Sequence, residues 1–207
     1  MILSSALAFF ALPVMAAEPL RILAFGDSLT SGYGLPDADS FPSQLERALI
    51  AAGENVKLVN GGVAGDTSAG GLARLDWTLA DKPDLVLLEF GANDGLRGLD
   101  PAATRKNIAA MLTRLVQDKI PTLLLGMKAP RNLGADYVTA FDPLYEDLAR
   151  QFQVPLDPFY LDGVAGDPAL NQSDGIHPNA AGVAAIVKRI TPEVIALIKA
   201  RKENISG

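Results

Sequence analysis

The chain has 207 residues, 49% apolar and 20% charged, with a formal net charge of −6, no cysteine and one histidine. That length bounds one domain with room for a full core, and the acidity excludes the basic face a nucleic-acid partner needs. Disulfides, a thiolate nucleophile and thiolate or His-rich metal sites are excluded as well.

In chain order, residues 1–17 hold no charged side chain and end in small residues, with Val14-Met15-Ala16 fitting a small-x-small cleavage pattern. They read as a secretory signal cleaved near Ala16 or Ala17. That predicts an exported chain, periplasmic or secreted, with residues 18–207 as its single domain. Residues 20–25, apolar but for Arg21, form a run ending at Gly26, and residues 39–52 recur at helical spacing through Phe41, Leu45 and Leu49. A short strand follows over 56–60, then a helix over 68–79 carrying Leu72, Leu75 and Leu79. Trp77 falls within that apolar pattern and is expected in the core. Residues 85–90 form an apolar run interrupted only by Glu89, and Asp100-Pro101 has the form of an N-cap followed by proline at the first helical position, opening a helix to about Asp118. Another strand is expected over 121–127, a mostly helical stretch over 135–152, a short strand over 154–157 and a helix over 179–200, kinked or re-capped at Thr191-Pro192.

Strands that are apolar throughout, rather than alternating, are covered on both faces. The β-α repetition therefore predicts a three-layer α/β/α sandwich around a central, mostly parallel five-stranded sheet. Ligands in such sheets bind outside the carboxyl ends of the strands. Three glycine-rich segments fall there, at residues 26–34, 61–71 and 91–98. Phosphate cradles are excluded by pattern: Gly32-Tyr33-Gly34 lacks the third glycine of G-x-G-x-x-G, and no G-x-x-x-x-G-K-[ST] occurs.

Gly26-Asp27-Ser28-Leu29-Thr30 puts a serine just past a buried strand, but Thr30 stands where the G-x-S-x-G elbow requires glycine. Locally, Ser28 is as good a helix cap as a nucleophile. The tail adds the discriminating signal. Asp174-Gly175-Ile176-His177-Pro178 places the sole histidine three residues after an aspartate, where a short loop can bring the carboxylate to one ring nitrogen and leave the other to take a hydroxyl proton. Asp162 and Asp167 are alternative partners without that fixed offset. Thr30 and Ser31 read as loop support, and Asp27 as a hydrogen-bond partner of the loop backbone. Backbone N–H groups around Gly65 and the amide of Asn93 are candidate donors to an oxyanion.

These blocks together resemble a known family. GDSL (Gly26 to Leu29), Gly65, GxND (Gly91 to Asp94) and DxxH (Asp174 to His177) occur in the order of the SGNH, or GDSL, hydrolases. The segments 61–68, NDGLRG (Asn93 to Gly98) and DGIHP (Asp174 to Pro178) resemble the branch of bacterial periplasmic acyl-CoA thioesterase I, also described as lysophospholipase and arylesterase. The resemblance implies Ser28 as nucleophile, His177 as general acid/base and Asp174 as its orienting partner. It implies an oxyanion hole from Ser28, Gly65 and Asn93, and an acyl groove formed in part by Asp94, Gly95, Leu96, Arg97 and Gly98. It implies no cofactor and no metal, and a small-molecule ester or thioester substrate. A carbohydrate acetylesterase or acyltransferase on the same fold is the alternative, and a non-catalytic periplasmic binding module a further one.

Overall fold

A computed structural model describes residues 18–206, with side chains through residue 203. The expected signal segment, residues 1–17, lies outside the described residues. Among the described residues five strands are formed: β1 (Leu20–Gly26), β2 (Val56–Gly62), β3 (Leu85–Glu89), β4 (Thr122–Leu125) and β5 (Leu156–Asp157). They pair in parallel in the order β2-β1-β3-β4-β5. β3 and β4 are buried at every position, which is why their sequences show no alternation.

Each helix is set by a local signal. In α2 (Phe41–Ala51) the Ser40 hydroxyl accepts the Ser43 N–H, Pro42 lies in the first turn, and Phe41, Leu45 and Leu49 form the buried stripe. Helix α5 (Pro101–Gln117) starts as its sequence predicts: Asp100 Oδ1 accepts the Ala102 N–H, Pro101 follows, and Ile108, Met111, Leu112 and Leu115 are buried. The expected helical stretch over 135–152 is two helices, α6 (Ala135–Phe141) and α7 (Leu144–Phe152), because Pro143 cannot continue the first. The opposite departure occurs in α8 (Ala180–Ser206), which runs through Pro192 without a new cap. There the Thr191 hydroxyl donates to the Val187 carbonyl, and Ile190, Val194 and Ile198 stay fully buried on either side of the proline.

Helices α2 and α8 pack together, while α3 (Ser68–Leu79) packs on α5 and α5 on α7. The two groups cover opposite faces of the sheet, the arrangement that right-handed crossovers impose on this strand order. The chain direction across the sheet reverses between β1 and β3. Such a switch point opens a crevice at the carboxyl ends of the two strands. Gly26 and Glu89, the last residues of those strands, define its floor.

Candidate active site

The chain leaves β1 into a single helical turn, α1 (Ser28–Ser31). Asp27 caps it, its Oδ1 accepting the Leu29 N–H at 3.0 Å. Gly26 is required by close approach: a Cβ there would meet the Thr30 hydroxyl, the Glu89 carboxyl and the Glu89 carbonyl. Its carbonyl accepts a hydrogen bond from Arg74 Nη2, while Arg74 Nη1 donates to the Gly61 carbonyl and Nε to Asp66. One guanidinium thus ties the carboxyl ends of β1 and β2, stacked over Phe25 with its carbon 4.4 Å from the ring centre.

Against α1 lies the segment before α8. The Asp174 carboxylate accepts three N–H donors: the Ile176 amide at 2.9 Å and the His177 amide at 3.0 Å on Oδ1, and His177 Nδ1 at 2.7 Å on Oδ2. These bonds, the His177 amide first among them, hold its pKa down at about 2, although the side chain is partly exposed. An ionised carboxylate only accepts, so Nδ1 carries a ring hydrogen, and in the neutral imidazole Nε2 then presents a lone pair. That lone pair meets Ser28 Oγ at 2.9 Å. Asp167 instead accepts the Ala169 N–H in its own turn.

Gln172, which the sequence did not single out, joins the two loops. Its Nε2 donates to the Tyr33 carbonyl at 2.8 Å and to the Pro178 carbonyl at 3.0 Å, and its backbone N–H donates to the His177 carbonyl at 2.8 Å. The Tyr33 ring covers the imidazole at 4.8 Å, tilted by 41°.

Asn93 sits in α4 (Ala92–Leu96), one turn past β3, and its Nδ2 donates to Asp27 Oδ2 at 2.9 Å. The second Nδ2 hydrogen is thereby oriented by a neighbour in the Ser28 loop. Gly65 lies in the turn between β2 and α3 with φ +82°, a conformation that favours glycine. Its carbonyl is held by Arg97 Nη2 at 2.7 Å.

A cavity of about 470 Å³ opens beside Ser28 and His177. Leu29, Leu96, Met127, Pro130, Phe159 and Ile176 give it a largely apolar wall. Of the five residues expected to form the groove, Leu96 lines this cavity. The other four are placed elsewhere. Asp94 is buried, accepting from the Ser68 amide and hydroxyl and from Thr104. Gly95 faces Pro130 and Phe141, Arg97 clasps Gly65, and Gly98 makes a turn at φ +60°. Met127, Phe159 and Ile176 were not separable in sequence from ordinary core and loop residues. Trp77, expected in the core, is 80% exposed on α3.

Residues 24–185 match the GDSL-like Lipase/Acylhydrolase family. The chain is 39% identical to "Esterase TesA" of Pseudomonas aeruginosa, over 96% of this chain and 98% of that protein. It is 39% identical to "Thioesterase 1/protease 1/lysophospholipase L1" of Escherichia coli K12, over 79% of this chain and 77% of that protein. The crystal structure of AlinE4, described as an SGNH-hydrolase family esterase, superposes with a TM-score of 0.75 at 46% identity, covering 88% of this chain and 98% of that one. The chain belongs to the GDSL-like lipase/acylhydrolase, or SGNH, family of ester-cleaving hydrolases.

Proposed function

We propose that the chain is an exported serine esterase and thioesterase that cleaves aryl esters, acyl-CoA and lysophospholipids through an acyl-serine intermediate on Ser28. The observation that carries the proposal is the unbroken hydrogen-bond chain from Asp174 through His177 to Ser28 Oγ, at the mouth of an apolar cavity. Ser28 Oγ attacks the acyl carbonyl carbon while His177 Nε2 takes its proton. The carbonyl oxygen becomes an oxyanion, received by the Ser28 and Gly65 amides and the free Asn93 Nδ2–H. His177 then returns the proton to the leaving alkoxide or thiolate as the bond to the acyl carbon breaks. Water repeats the sequence on the acyl-serine: His177 takes its proton, the carboxylic acid leaves, and Ser28 recovers its hydrogen.

The apolar wall favours an acyl chain over an acetylated sugar, whose hydroxyls would need polar partners at those positions. A chain-length series of p-nitrophenyl esters and acyl-CoAs, run on the wild type and on Ser28→Ala, tests the reading. Loss of several orders of magnitude in turnover on every substrate is expected in the variant; retained turnover contradicts it. Export is part of the proposal. The sequence of residues 1–17 and the family resemblance support it, and N-terminal sequencing of the chain recovered from the periplasm of a bacterial host should begin at or near Ala17 or Glu18.

A further inference from the structure

Beneath the candidate nucleophile lies a second acidic group, Glu89, that the reaction scheme does not use. It is the last residue of β3 and has no exposed surface, as has Asp27 beside it. Glu89 Oε2 accepts the Asp27 N–H at 3.0 Å and the Thr30 hydroxyl at 2.9 Å. Glu89 Oε1 is buried and receives no donor. Both oxygens of Asp27 are occupied, Oδ1 by the Leu29 N–H and Oδ2 by the Asn93 amide. Two buried carboxyl groups thus meet at one loop, and N–H donors reach both oxygens of Asp27 but only one oxygen of Glu89.

We infer that Glu89 is a positioning residue that stays protonated beneath the loop, so that one negative charge, on Asp27, orients the Asn93 amide toward the oxyanion. The inference rests on the proposed roles of Ser28 and Asn93. Two physical costs favour one charge over two. An ionised Glu89 would leave a charged oxygen without a donor in a dry site. It would also set a second anion behind the atom where negative charge develops during attack. Burial, followed by the charge of Asp27, pushes the Glu89 carboxyl well above its ordinary range.

The surrounding groups do not neutralise Glu89. Arg74 is bonded to Asp66 and to the Gly26 and Gly61 carbonyls. Arg189 is bonded to Asp157 and to the Phe159 and Tyr160 carbonyls, and His177 to Asp174 and Ser28. The nearby phenols, Tyr145 and Tyr160, are buried, with pKa values pushed up first by desolvation. Asp94 and Asp157 add negative charge around the same group of side chains.

Three readouts on the full chain test the inference. In the infrared at neutral pH, the wild type should show the carbonyl stretch of a neutral, buried carboxyl that Glu89→Gln removes and Asp27→Asn shifts. Its absence from the wild type, or spectra of wild type and E89Q that coincide, overturns the inference without reference to catalysis. In kinetics, Glu89→Leu cannot receive the Asp27 and Thr30 donors or hold Asp27, and should lower kcat about 10²-fold with KM little changed, the scale of losing one oxyanion donor. Glutamine, which accepts at one atom and donates at the other, should recover most of that loss; E89Q as impaired as E89L overturns the inference. In stability, a group protonated when folded and ionised when unfolded weakens the fold as pH rises above the unfolded value of about 4.3. The stability of E89Q relative to wild type should therefore grow from pH 4 toward pH 8, and a constant difference overturns the inference. Phosphonate labelling of Ser28 tests the underlying reading separately.

Discussion

At the scale of single residues, hydrogen bonding separates groups that look alike in the sequence. Ser28, Thr30 and Ser31 are hydroxyls in one short loop. Only Ser28 meets the imidazole; Thr30 donates to Glu89 and Ser31 to the Ser28 carbonyl. Asn93→Ala should lower kcat about 10²–10³-fold with the fold intact, measured as kcat and KM on a p-nitrophenyl ester. An unchanged kcat would remove Asn93 from the oxyanion hole. The Asp174 and His177 pairing was readable because a sole histidine three residues from an aspartate leaves few alternatives. The second function of Asp27 was not. Its bond to the Leu29 N–H is local and foreseeable, whereas its contacts to Asn93 and Glu89 exist only once β1 and β3 lie side by side. Glu89 was hidden for the same reason, as one acid within the otherwise apolar run Leu85 to Phe90.

At the scale of elements, the site depends on backbones that approach more closely than side chains allow. Gly26→Ala would push a methyl group into the Glu89 carbonyl as well as the Thr30 hydroxyl, and should destabilise the fold by about 1–3 kcal/mol. Urea unfolding checks this, and an unchanged midpoint would show that β1 and β3 can separate at no cost. Helix and strand cores followed from periodicity, but Trp77 did not. It occupies an apolar-looking position on α3 between the buried Leu75 and Leu79, yet faces solvent. Spacing gives a helix its stripe without fixing which flanking position the neighbouring helix covers. The NDGLRG segment divides similarly, with Leu96 turned to the cavity and Asp94 turned inward as an anchor. Leu96→Ala should lower kcat/KM for long-chain esters by roughly fivefold, about 1 kcal/mol of lost apolar contact, and leave acetyl esters unaffected. Equal losses on both would detach Leu96 from the acyl site.

At the scale of the whole molecule, the layered parallel sheet was legible because doubly covered strands lose their alternation. The strand order was not, since the same runs permit several orders until crossover handedness and packing select one. That order creates the crevice between β1 and β3 and brings residues about 150 positions apart within one hydrogen bond. The fold also gains from the site at moderate pH. Asp174 titrates at about 2 when folded and near 3.9 when unfolded, so its contribution is present above about pH 4 and is lost as pH falls toward 2. The stability difference between wild type and Asp174→Asn should shrink across that window, by a modest amount because the carboxylate is partly exposed. A difference independent of pH would mean that the three N–H donors do not favour the charged form.

The central claim is that Ser28 is the nucleophile activated by His177, and covalent labelling tests it most directly. The wild type, treated with a serine-directed p-nitrophenyl phosphonate and digested, should carry one adduct on Ser28 by mass spectrometry, with esterase activity lost in step with labelling. His177→Ala should label far more slowly. An adduct on Thr30 or Ser31, or full activity in a protein labelled at Ser28, would contradict it.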